Sequence, residues 1–242
     1  MALSNRLAGR SALVTGASRG IGEAIARALA ADGGQVALVA RSADALQRIA
    51  GEIGHGAFAA PCDITDEASV RGMAERVESE LGGAPDIVVN NAGVFQVAPI
   101  AEMSMRLFSD VLNTNLFGPF LVVHAFLATM KARGAGHFVN MGSIADRGIF
   151  PENGAYAPAK YALRAMHEVL RLELKGSGVR ATLVSPGPVD TDMWDGITFN
   201  GTERIVPDRA AMLAPRDVAS AVLYAVTQPA VVNIDELRLS RS

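Results

Sequence analysis

Short β-branched runs alternate with longer amphipathic ones along nearly all of the 242-residue chain, and this alternation constrains the fold more than any other feature. Strand-like stretches cover 12–15, 36–40, 57–60, 87–90, 137–141, 180–185 and 232–239. Helical patterns cover 22–31, 43–53, 67–81, 106–132, 156–174 and 215–226. Strand and helix repeated in this way predict an α/β protein with a parallel sheet and helices on both faces. Half the residues are apolar but only 5% are aromatic, so Ala, Val, Ile and Leu must fill the core. No linker, repeat or low-complexity segment interrupts the pattern. A single domain over 1–242 is expected.

In such sheets ligands bind beyond the carboxyl ends of the strands. The polar or Gly-rich segments 16–22, 41–42, 62–65, 90–93, 143–154 and 186–192 each follow a predicted strand, so all should open on one edge. Segment 193–214 shows no clear period and is expected to form a substrate-side flap. The first loop reads Thr15-Gly16-Ala17-Ser18-Arg19-Gly20-Ile21-Gly22. Glycines there let backbone approach a pyrophosphate, and the following helix N-terminus supplies N–H donors and partial positive charge. Alone, the loop would also suit a tight connection; a strand before it and a helix after it favour the dinucleotide.

Tyr156 and Lys160 stand four residues apart, about one helical turn, so a helix carries both on one face. An ammonium near a phenol favours the phenolate, and Tyr156 is expected to titrate below its ordinary value of about 10. Pro158 between them is tolerated if the helix starts near Ala155, because first-turn N–H groups have no intrahelical partner. The glycine loop, Asn90-Asn91-Ala92-Gly93 and Tyr156-x-x-x-Lys160 occur in one order along the chain. Together they resemble the short-chain dehydrogenase/reductase family over essentially the whole sequence. The resemblance implies a Rossmann-type, doubly wound sheet of about seven parallel strands and a nicotinamide dinucleotide cofactor.

It also implies roles, position by position. Gly16, Ser18, Arg19, Ile21 and Gly22 would receive the pyrophosphate side of the cofactor. Asp63 would bond the adenine amino group, with Ile64 offering its N–H, although Asp63 could instead cap the helix beginning near Asp66. Asn90 and Ala92 would line the adenosine ribose through backbone. Pro186 and Gly187 would contact the cofactor, the Val189 backbone and Thr191 hydroxyl would hold the carboxamide, and Tyr156 and Lys160 the nicotinamide ribose. Ser143 would bond the substrate oxygen and orient it toward Tyr156. Asn115 would hold a water linking Lys160 to solvent, and two Asn in Asn113-Thr114-Asn115 suggest a distorted helix there. A carboxylate ending the second strand would select NAD. Here Ala40 occupies that place with Arg41 after it, and Arg19 adds a second guanidinium, so NADP(H) is expected over NAD(H).

Ile144, Phe150, Met193 and Trp194, with Ile149, Pro188 and Phe199, suggest a mainly apolar pocket for a ketone, an aldehyde or the corresponding secondary alcohol. Asp146, Arg147 and Glu152 add polar groups. No metal set is visible, since the four His lack ligand spacing. A net charge of −3 with scattered Arg argues against nucleic acid as a partner. The longest apolar run, 117–130, falls short of the roughly 20 residues a membrane span needs, so no membrane partner is expected. The single Cys62 reads as a buried structural thiol, and a cytoplasmic setting is expected. By resemblance the chain is a homodimer or homotetramer through helices 106–132 and 156–174. Its last strand lacks the Gly-Gly tail of many members, which bears on the second interface. Three rivals stand beside an NADP-dependent reductase: an NAD-dependent alcohol dehydrogenase of the same family, epimerisation or dehydration on the same cofactor, and a non-catalytic NADP-binding sensor or scaffold.

Overall fold

The computed structural model describes residues 5–197 and 208–242; Phe199 and the middle of the expected flap lie outside them. Seven strands form one all-parallel sheet in the order β3-β2-β1-β4-β5-β6-β7. They are β1 (Ser11–Thr15), β2 (Gln35–Val39), β3 (Phe58–Ala59), β4 (Ile87–Asn90), β5 (Gly136–Met141), β6 (Val179–Pro186) and β7 (Glu236–Leu239). The helices are α1 (Gly20–Ala31), α2 (Ala43–Ile53), α3 (Glu67–Leu81), α4 (Met105–Leu112), α5 (Gly118–Arg133), α6 (Tyr156–Glu173) and α7 (Pro215–Val226). Strand order reverses direction at β1, which has β2 on one side and β4 on the other. Doubly wound sheets bind ligands at such a switch point.

Alternation along the strands builds two cores. Val14, Leu38, Val89 and Val139 point to the layer of α1, α2 and α7, where Ile25, Leu29, Leu46, Ile49 and Val222 are fully buried. Leu13, Val39, Val88 and Phe138 point the other way, to Val77 of α3 and Val122, Phe126 and Met130 of α5. By length and composition the helical run 105–133 could cross a bilayer, but its apolar stripe is buried against the sheet here. Cys62 is buried, accepts a hydrogen bond from Ser69 Oγ at 3.5 Å, and has its thiol pKa pushed up by burial.

The expected helix 106–132 is present as one run over 105–133, and the distortion expected around Asn113 and Asn115 is a π-helical turn over 113–117 between α4 and α5. Its cause is local: Thr114 Oγ1 donates to Asp110 O at 2.9 Å and Asn115 Nδ2 donates to Val111 O at 2.9 Å, competing for helical carbonyls. The last strand, expected over 232–239, contracts to Glu236–Leu239. Upstream of it, the Asn233 side chain takes both backbone groups of Ala181, donating to its O and accepting from its N–H, each at 3.1 Å.

Two of the histidines are core residues. His137 on β5 meets Thr182 Oγ1 at 2.8 Å through Nε2, and His167 on α6 meets Asn140 at 3.1 Å through Nδ1; both are fully buried. Burial lowers their pKa values, to about 3 for His137 and about 4 for His167.

Candidate active site

The carboxyl ends of the strands open into one cavity of about 1300 Å³. Gly16, Ser18, Arg19 and Ile21 line it from the loop after β1, Arg41 from the loop after β2, and Asp63 and Ile64 from the loop after β3. The glycine loop is drawn by close backbone approach. A Cβ on Gly22 would lie 2.2 Å from Gly16 O, and one on Gly16 would lie 2.8 Å from Ala92 Cα. Gly16 also adopts φ +67°, a conformation that favours glycine. Thr15 Oγ1 accepts from the N–H groups of both Asn91 and Ala92 at 3.0 Å, tying the loop after β4 to β1. Among the described residues no side chain caps the N-terminus of α1, leaving its first-turn donors to an external acceptor.

Two expected contacts fall elsewhere. Gly22 lies behind the loop rather than on the cavity wall, its role being the close approach to Gly16. Asn90 does not line the cavity, where Asn91 and Ala92 provide the wall; its side-chain amide donates to Asn140 Oδ1 at 2.9 Å. Asp63 does not cap α3. It accepts from Thr65 N and Oγ1 at 2.9 and 2.7 Å, bonds that lower its pKa, while Asp66 caps the helix through Ser69 N at 2.6 Å.

Across the switch point, the loops after β5 and β6 bring Ser143, Ile144, Phe150, Pro186, Gly187, Val189 and Thr191 to the same cavity, with Tyr156 and Lys160 from α6. The helix starts at Tyr156, and Pro158 sits in its first turn as expected. Lys160 is buried, donates to Met141 O at 2.8 Å, and places Nζ 5.7 Å from the Tyr156 ring centroid. Ser143 Oγ accepts from Ala145 N at 3.1 Å, and its hydroxyl is hydrogen-bonded to Tyr156. Asn115, buried at the π turn, accepts from Val94 N at 3.3 Å and donates to Val94 O at 2.9 Å.

The titration of the pair corrects the sequence expectation. Burial raises the Tyr156 pKa to about 12, an interaction with Ser143 opposes that shift, and the charge of Asp146 adds to it. Lys160 is lowered to about 8 by burial, against which Asp146 acts. Burial is the largest cause of both shifts, and the Lys160 ammonium is directed at the Met141 carbonyl.

The facing wall is made of side chains. Phe95 stands edge-on to Tyr156, centroids 4.8 Å apart, and to Trp194 at 5.3 Å. Trp194 Nε1 donates to Val189 O at 3.0 Å, so its ring offers no free donor to a ligand. Met193 completes this side, and Gln96 and Asn153 bring amides to it. Arg209 pins the start of the expected flap, with Nη1 2.8 Å from Asp190 Oδ1 and Nη2 2.5 Å from Asp195 Oδ1. Phe95, Gln96 and Asn153 were absent from the sequence reading. The usable signal for Phe95 was its place just after Gly93, on a loop already assigned to this edge.

Residues 10–200 match the short chain dehydrogenase family. An uncharacterized oxidoreductase of Staphylococcus haemolyticus is 34% identical over 96% of each chain. D-threitol dehydrogenase of Mycolicibacterium smegmatis is 36% identical over 94% of this chain and 90% of its own. Among solved structures, an alcohol dehydrogenase from the archaeon Thermococcus sibiricus complexed with 5-hydroxy-NADP superimposes with a TM-score of 0.84, at 35% identity over 95% of both chains.

Proposed function

This chain belongs to the short-chain dehydrogenase family, and from that premise we propose that it transfers hydride between NADP(H) and an apolar ketone or aldehyde, or the matching secondary alcohol. The observation that carries this reading is the convergence of Ser143, Tyr156 and Lys160 on the cavity that also contains the glycine loop. The cradle suits a dinucleotide: Gly22 admits no side chain, and α1 presents uncapped donors. Arg19 and Arg41, both exposed on the cavity rim, suit an adenosine 2′-phosphate and favour NADP(H) over NAD(H).

When bound, the reduced dinucleotide supplies hydride to the carbonyl carbon. Tyr156, protonated near neutral pH, donates its proton to the developing alkoxide. Ser143 Oγ donates a hydrogen bond to the same oxygen, where charge grows most in the transition state. Lys160 holds the nicotinamide ribose and returns a proton to Tyr156. Asn115, at the π turn, serves this return by helping to hold a water between Lys160 and solvent. Asp63, Ile64 and Ala92 receive the adenosine, and Pro186, Gly187, Val189 and Thr191 the carboxamide. Phe95, Trp194, Ile144, Phe150 and Met193 then face the substrate's substituent, which favours apolar over polyhydroxylated compounds. Exposed Phe117 and Phe120 on or beside α5, and Val169 and Leu172 on α6, suit a homodimer through these helices.

The test is oxidation of NADPH and of NADH with a panel of carbonyl compounds, followed at the reduced nicotinamide absorbance. Tyr156→Phe should lower turnover by about 100-fold or more while NADPH still binds. Near-normal turnover in that variant would refute the assignment, and NADPH binding without turnover of any panel member would favour a sensor or scaffold.

A further inference from the structure

Behind Ser143 lies a buried carboxylate that does not line the cavity. Asp146 ends the short helical turn Ile144–Asp146, and its side chain is fully buried. A buried charge persists only where partners replace water. Oδ2 of Asp146 accepts from Ser185 Oγ on β6 at 2.5 Å and from the Ser143 N–H at 3.3 Å. Its Oδ1 accepts from Arg147 Nε at 2.7 Å, and Arg147 in turn pairs with Glu236 on β7. Gly142 makes room for this arrangement: a Cβ there would lie 2.5 Å from Asp146 Oδ2 and 2.4 Å from Ser185 Oγ. The turn also packs against α6, the helix that carries Tyr156 and Lys160.

We propose that Asp146 is a positioning residue of the reaction centre: its buried carboxylate holds Ser143 through the backbone and sets the charge that faces Tyr156 and Lys160. The inference rests on the reading of Tyr156 as the proton-transferring group. Negative charge at this place opposes the phenolate and supports the ammonium, and Asp146 acts in those directions on the two groups. Arg147, on the same turn, partly neutralises the carboxylate, and Glu236 from β7 partly neutralises Arg147. Ser143 and Ser185 are neutral partners. The charges around the pair thus come from α6, from the turn after β5, and from β7.

The experiment is the pH profile of kcat/KM for alcohol oxidation, in which Tyr156 must lose its proton and activity rises along an alkaline limb. Asp146→Asn should move that limb to lower pH by about half a unit or more, because a negative neighbour is gone. Arg147→Gln should move it to higher pH, because the carboxylate is left less neutralised. Opposite shifts in folded variants that still bind NADPH support the proposal. A limb that stays in place in both, or moves the same way in both, overturns it and makes Asp146 merely structural. Should Asp146→Asn fail to fold, the direction of the Arg147→Gln shift decides alone. Failure of the underlying reading looks different: Tyr156→Phe would then keep both its turnover and its limb.

Discussion

Backbone shapes the wall of the cavity beneath the glycine loop, whereas side chains shape the wall around Phe95 and Trp194. On the first, Gly16 and Gly22 touch main chain so closely that any Cβ would collide, and Thr15 at the end of β1 holds the loop after β4 through two of its N–H groups. On the second, the contacts are edge-on rings, one indole hydrogen bond and the half-exposed ion pairs of Arg209. Exposed pairs of that kind contribute little, about 0–1 kcal/mol each. One wall therefore resists change because the fold runs through it. The other can be rebuilt for a different substrate at little cost to the sheet.

That contrast can be broken by substitution. Gly22→Ala should do most damage, weakening NADPH binding by about 100-fold and stability by roughly 1–3 kcal/mol, because main chain must shift. Fluorescence titration and thermal unfolding measure the two effects, and an unaltered variant would mean that the loop is not rigid. Arg41→Ala should raise the KM for NADPH by roughly 10-fold and leave that for NADH nearly unchanged, if a charge-assisted bond to phosphate is lost. Equal effects on both coenzymes would remove Arg41 from the specificity argument. Trp194→Ala should have the smallest reach. An aryl-bearing ketone should lose a few-fold to about 10-fold in kcat/KM, a small aldehyde much less, and the unfolding temperature should hardly move. A large stability loss would show that the substrate wall is part of the core after all.

The same division explains what could be read from the chain. Helices 43–53, 67–81 and 215–226 match their expected bounds because their periodic faces and end signals are local: Asp66 caps α3, Gly82 ends it, and Pro215 opens α7. The glycine loop and the Tyr156–Lys160 pair were legible for the same reason, each lying within a few consecutive residues. What escaped depends on distant neighbours. Asn233 shortens β7 only because Ala181 lies beside it. The Asn90 side chain is engaged by Asn140 on the next strand, a partner 50 residues away along the chain. The direction of the Tyr156 shift needed its burial and the place of Asp146, which spacing within one helix cannot supply.

The buried histidines carry a consequence for acid tolerance. His137 and His167 hold off protonation until about pH 3 and about pH 4, whereas an unfolded histidine accepts a proton near 6.5. Their contribution is intact above 6.5 and erodes as acid is added, until each ring reaches its own folded value. Urea midpoints at pH 7 and pH 5 should therefore separate clearly, and equal midpoints would show that these rings become charged inside the native sheet.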